Sequence, residues 1–187
     1  MKTQLSALIL FICSVVTAIS ASAVTPQIMG KMNIINNNII VHIYIENVTE
    51  IDTPIQSGIE KEIIFTVELL RVWKYWPDEF VVSKRIAKVV RYDNLREQYS
   101  AFSSDGITRS EKYFKNYPSM KHWIFTVEDV NLANIKELDP GHYYIRIVVE
   151  SKSLQQLPLL GVFMHFMPEI EMSLAKESDP FFIGGNQ

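Results

Sequence analysis

Hydrophobic and polar positions alternate along most of this chain with the period of a β-strand. In residues 39–46, Val41, Ile43 and Ile45 fall on one side, and His42, Tyr44 and Glu46 on the other. That spacing predicts a strand with one buried face. The longest alternation spans 59–70. Ile59, Ile63, Phe65, Val67 and Leu69 share one face, and Glu60, Glu62, Thr66 and Glu68 the other. A helical stripe through Ile59, Ile63, Val67 and Leu70 competes, but the β-branched and aromatic content favours a strand. Pro77 stops this element, and Asp78-Glu79 complete a loop. A return strand covers 80–92, where Phe80, Val82, Ile86, Val90 and Tyr92 alternate with Ser83, Arg85, Ala87 and Arg91. Folding the hairpin about Trp76 brings Glu68 near Lys84, and Glu60 and Glu62 near the basic residues of the return strand. Such cross-strand pairs contribute roughly a few tenths of a kcal/mol each. The Lys84, Arg85, Lys88 and Arg91 cluster therefore reads as a solvated, paired face rather than a phosphate or anionic-lipid patch.

The flanking segments continue the theme. Residues 24–38 read as a loose entry, with Ile28, Met32 and Ile34 in an irregular first strand and Asn36-Asn37-Asn38 as punctuation. Asn47-Val48-Thr49 fits a glycosylation sequon and is read as turn chemistry. Asp93-Asn94 predicts a turn, and 97–103 a strand carrying Tyr99 and Phe102. Ser104-Asp105-Gly106 is a hairpin signal with 107–113 as its partner. Tyr117-Pro118-Ser119 opens the one helix, with Ser119 as N-cap and Met120, Trp123, Ile124 and Val127 as its apolar face. Residues 130–135 fit neither period. Leu138-Asp139-Pro140-Gly141-His142-Tyr143-Tyr144 resembles a tyrosine corner, in which a phenol bonds back to the preceding loop. Tyr144, Pro140 and Gly141 are its expected structural residues. A core strand is expected within 157–167 after a bend at Pro158 and Gly161, a last strand at 170–174, and a tail at 176–187. Many short strands and one short helix predict an all-β, antiparallel, immunoglobulin-like sandwich. An open sheet with a helix on one face is the alternative.

Composition changes the picture mainly at the N-terminus. Lys2, an apolar run over 5–16 and Ala21-Ser22-Ala23 form a signal-peptide pattern with cleavage after Ala23. An uncleaved membrane tether is the alternative, but the run falls short of the ~20 residues a spanning helix needs. The expected location is periplasmic, with residues 24–187 as one domain. Cys13, the single cysteine, lies in the segment removed. The mature chain therefore offers no thiol nucleophile, thiolate ligand or disulfide. Cleavage removes one lysine and no acid, leaving a net charge of −4. A mild negative charge argues against nucleic acid, which needs a basic footprint.

Candidate chemistry is sparse. No Gly-x-Ser-x-Gly motif occurs, and His42, His122, His142 and His165 stand singly, without metal-ligand spacing. No cofactor is expected, and the chain reads as a non-enzyme. Surface recognition remains. Trp73, Tyr75, Trp76 and Asp78 cluster at one hairpin tip, where they either cap the sandwich or face a protein partner, glycan or lipid; a core cavity behind 157–167 is the other place a glycan or lipid could bind. The cap is favoured, because large aromatics at strand ends usually have core to cover.

The order of several short segments is similar to a bacterial family of exported proteins, the domain of unknown function 4390. They are Ser57-Gly58-Ile59, Val67-Glu68-Leu69, Trp76-x-Asp78, Tyr92-Asp93 with Tyr99, Leu138-x-Pro140-Gly141 before Tyr144-x-Arg146, and Leu157-Pro158. The resemblance covers nearly all of the mature chain. It implies an exported protein with no assigned reaction, ligand or catalytic residue. The signal-peptide pattern, beside the lack of a catalytic constellation, makes binding the expected role, with an envelope protein as expected partner.

Overall fold

A computed structural model describes residues 25–48, 55, 57–153 and 170–184. The expected signal peptide and the expected core strand at 157–167 lie outside the described residues. Among the described residues, ten strands form two antiparallel sheets. A three-stranded sheet has the order β1-β2-β7: β1 is Gln27–Ile35, β2 Asn38–Glu46 and β7 Thr126–Asn134. A seven-stranded sheet has the order β10-β8-β3-β4-β5-β6, with β9 also on β8. Its members are β3 (Lys61–Arg71), β4 (Glu79–Asp93), β5 (Gln98–Ser104), β6 (Arg109–Phe114), β8 (Gly141–Ser153), β9 (Ile170–Glu177) and β10 (Phe181–Ile183). The two sheets pack as a β-sandwich.

The core lies between the sheets. Ile39, Val41, Ile43 and Ile45 of β2 meet Ile63, Phe65, Val67 and Leu69 of β3 and Ile145, Ile147 and Val149 of β8. All are buried, as the period-2 pattern requires. β3 is buried further on its other face, where Ile64 and Leu70 are also inaccessible. A strand paired on both sides by β4 and β8 is the centre of its sheet.

Four local expectations change. The entry segment is a regular strand, because Asn36 and Asn37, with φ of 50° and 65°, form a two-residue hairpin turn to β2. Asparagine tolerates the left-handed conformation that such turns demand at both central positions. The β3–β4 hairpin closes at Arg71 and Glu79, and β4 bulges at Val81, between Leu69↔Val82 and Leu70↔Phe80. A one-residue slip exchanges faces. Phe80 therefore joins the outer face, and Glu68 lies opposite Ser83 while Lys84 lies opposite Val67. Glu68 takes its partner from β8 instead: Arg146 Nε lies 2.6 Å from Glu68 Oε2.

The helix, α1 (Tyr117–Ile124), is capped by Asn116, whose Oδ1 accepts from Ser119 N at 2.9 Å. Pro118 fits the first turn, where no N–H is needed, so the cap falls earlier than Ser119. α1 buries Met120 and Ile124 and ends before Val127, which belongs to β7. The expected tail contains β10, in which Phe181 pairs with Tyr143 and Ile183 with Gly141.

Candidate functional site

The turn between β3 and β4 carries the aromatic cluster. Tyr75 and Trp76 are 83% and 77% exposed, and Trp73 is 43% exposed. The tip therefore projects into water and does not cap the core. It is nevertheless braced at its base. Trp73 N donates to Asp78 Oδ1 at 3.3 Å, and Trp73 Nε1 donates to Glu79 Oε2 at 3.1 Å. The Arg71 guanidinium lies 4.6 Å from the Trp73 ring centroid, within cation–π range.

Arg71 ties the tip to the Pro140-Gly141 corner. Its Nη2 donates to Pro140 O at 2.9 Å, and Nη1 reaches Asp139 Oδ2 at 3.2 Å. A Cβ on Gly141 would stand 3.0 Å from Arg71 Nε, so glycine leaves room for the guanidinium. The phenol that bonds back is Tyr143, not Tyr144: Tyr143 Oη donates to Asp139 O at 2.7 Å. Tyr143 is buried in the core, whereas Tyr144 faces the opposite way. Adjacent strand residues point to opposite faces, and only the inward one can reach under the corner. Burial, then Asp78, pushes the Tyr144 phenol up. The four residues Trp73, Asp78, Tyr144 and Pro140 thus belong to one end of the sandwich.

A second concave feature lies where the small sheet stops at β7 and the inner face of β4, β5 and β6 continues. A cleft of about 510 Å³ opens there. Lys84, Lys88, Ser103, Ser110 and Lys112 line one wall, and Glu128 and Asn131 of β7 the other. Trp123 closes part of it. Lys88 is buried and donates to Trp123 O at 2.7 Å and to Thr126 O. Trp123 O lies in the last turn of α1, where a cation is favourably placed, and Thr126 opens β7. Lys88 Nζ and Lys112 Nζ lie 4.3 Å and 5.9 Å from the Trp123 ring centroid. Burial and then Lys112 push the Lys88 amine down from 10.5 to about 8, opposed by Glu128. Lys88, read from sequence as part of a solvated basic face, is therefore a buried brace on α1.

A third cluster joins β3, β8 and β9. Lys61, almost wholly buried, donates to Ser153 Oγ and to Glu171, and Ser153 Oγ also donates to Glu171. Burial raises the Glu171 carboxyl, but the bonds from Lys61 and Ser153 outweigh it, and the net shift is down. The ammonium and the carboxylate compensate each other's charge at close range, so the group reads as an internal ion pair. No sequence spacing announced it; only the register of three strands assembles it. Among the described residues no group of three or more His, Cys, Asp or Glu side chains is placed to hold a metal ion.

The fold and these surfaces define an all-β sandwich with Trp73, Tyr75 and Trp76 displayed at one hairpin tip. The chain belongs to a family described as a domain of unknown function, DUF4390, whose model matches residues 38–173. No curated protein and no solved structure matches the chain. Among the described residues, no helix is long and apolar enough to cross a membrane.

Proposed function

We propose that this chain is an exported bacterial envelope domain that acts by binding a protein partner through the tip formed by Trp73, Tyr75, Trp76 and Asp78. The carrying observation is the exposure of Tyr75 and Trp76 on a loop whose base is fixed. Exposed aromatics on a rigid support are the residues that dominate contact energies when a partner desolvates them. The N-terminal signal pattern supports export.

The test compares capture of envelope proteins by wild type and by the double variant Tyr75→Ser, Trp76→Ser. Both side chains stand in solvent, so folding is expected to be unchanged, and circular dichroism checks that. A partner retained by wild type and lost by the variant is the expected result. Identical captures from the two proteins would remove the tip from recognition. A glycan- or lipid-binding role for the same tip is the second reading, favoured by the stacking faces that Tyr75 and Trp76 offer. It requires their fluorescence to change across a glycan and lipid panel.

A further inference from the structure

β4 is a central strand for only half its length. Against β3 it is paired from Glu79 to Val90, but against β5 only from Ala87 onward. On the side away from β3, residues 79–86 present main-chain donors and acceptors that no described residue meets. At ~3.3 Å per residue this free edge is roughly 26 Å long. Ser83, Lys84 and Arg85, which flank it, are exposed, and no described residue covers them. The bulge at Val81 twists the first residues of the edge, and 82–86 run regularly below it. Bulges and flanking cations are the usual defences of an open edge.

The charges decide what this edge can accept. Lys84 lies on the inner face above the cleft, with Lys88 and Lys112 below it and the acids Asp105, Glu128 and Asp129 also on the lining. Asp105 is tied to the N–H groups of Ile107 and Thr108, and Arg85 lies on the outer face opposite Thr66. Among the described residues, Lys84, Arg85 and Lys112 enter no salt bridge. A second copy laid antiparallel and centred on 84–85 would set Lys84 or Arg85 directly opposite a cation of the other copy, which is destabilising. An acidic strand would meet them with the opposite sign.

We propose that residues 82–86 of β4 receive, by strand addition, an extended acidic segment of a partner protein. The segment occupies the lane that β5 vacates above Ser104. Its main chain pairs with β4, its inward carboxylates meet Lys84 and Lys112 at the cleft, and its outward ones meet Arg85. Backbone pairing supplies affinity and the alternate side chains supply selectivity. The edge begins where the aromatic tip ends, so this inference rests on the binding role proposed above and names the chemistry of the partner.

The experiment uses the purified mature chain and two synthetic peptides of about nine residues, enough to span the edge. One alternates glutamate with valine, and the other replaces each glutamate by lysine. Amide hydrogen exchange and affinity are measured for wild type and for Lys84→Glu, Arg85→Glu. The glutamate peptide is expected to protect alternate amides within 82–86. The double variant should bind it at least about tenfold more weakly and prefer the lysine peptide. Equal binding of both peptides, or no protection on β4, overturns the proposal. Protection that grows with protein concentration and no peptide assigns the edge to a second copy and overturns it equally. The Tyr75→Ser, Trp76→Ser variant should still bind the glutamate peptide, so failure at the edge and failure at the tip are separately visible.

Discussion

Lys88 gives the sharpest quantitative expectation. Its amine is held at about 8 in the folded chain against 10.5 when free. The unfolded chain therefore binds the Lys88 proton more tightly, and stability must rise with pH as the proton is lost. With these two values the Lys88 contribution improves by about 2.5 kcal/mol between pH 7 and pH 10. Below pH 8 the full cost of the charged amine is present. Replacing Lys88 by Met removes that cost, but it also leaves Trp123 O and Thr126 O without their donor, at about 1–3 kcal/mol for each buried carbonyl. At pH 7 the two effects nearly cancel, so the variant should be close to wild type in stability. At pH 10 only the lost bonds remain, and the variant should be the weaker by a few kcal/mol. Urea unfolding of both proteins at intervals from pH 7 to 10 checks this. Groups that do not interact with Lys88 cancel in the difference. A difference that stays flat across the range, or that moves towards the variant as pH rises, refutes the reasoning.

Three further expectations follow from local geometry. Tyr143→Phe removes the bond to Asp139 O and should cost about 1–2 kcal/mol in urea unfolding, while Tyr144→Phe should cost less than about 0.5. Asn37 holds φ of 65° in the two-residue β1–β2 turn, so Asn37→Gly should keep or slightly raise stability, and Asn37→Val should lose about 1–2 kcal/mol. Intact-mass analysis of the chain from the periplasm of a bacterial host should give a protein beginning at Val24; retention of Met1 after fractionation would favour a tethered form instead.

Strand identity was readable wherever one face is buried and the other wet. Val41, Ile43 and Ile45, and Ile63, Phe65, Val67 and Leu69, stand in the core as their alternation requires. Registers were not readable, because a single bulged residue at Val81 reverses which side chains face inward, and nothing in the sequence around it announces the bulge. For the same reason the partner of Glu68 came from β8, distant along the chain, and not from the neighbouring strand of its hairpin. The tip residues were legible as a cluster, but their exposure was not. Composition cannot say whether an aromatic has a core to cover; here the brace of Arg71, Asp78 and Glu79 holds the loop away from one. The cleft escaped sequence reading because its walls come from strands that meet only through the sandwich.

The central pairing of β3 with β8 has a kinetic consequence. β3 to β6 form a run of consecutive hairpins, each closed by a short turn. β3 completes its other side only when Lys61 meets Ser153 and Arg71 meets Tyr143. Short loops close early, and contacts between distant parts of a chain are slow to form. The meander is therefore the piece that can assemble first, with one flank of β3 left open until β8 is available. By its sequence separation that seam is the slow pairing of the sheet, and the Arg146–Glu68 contact spans it in the native register.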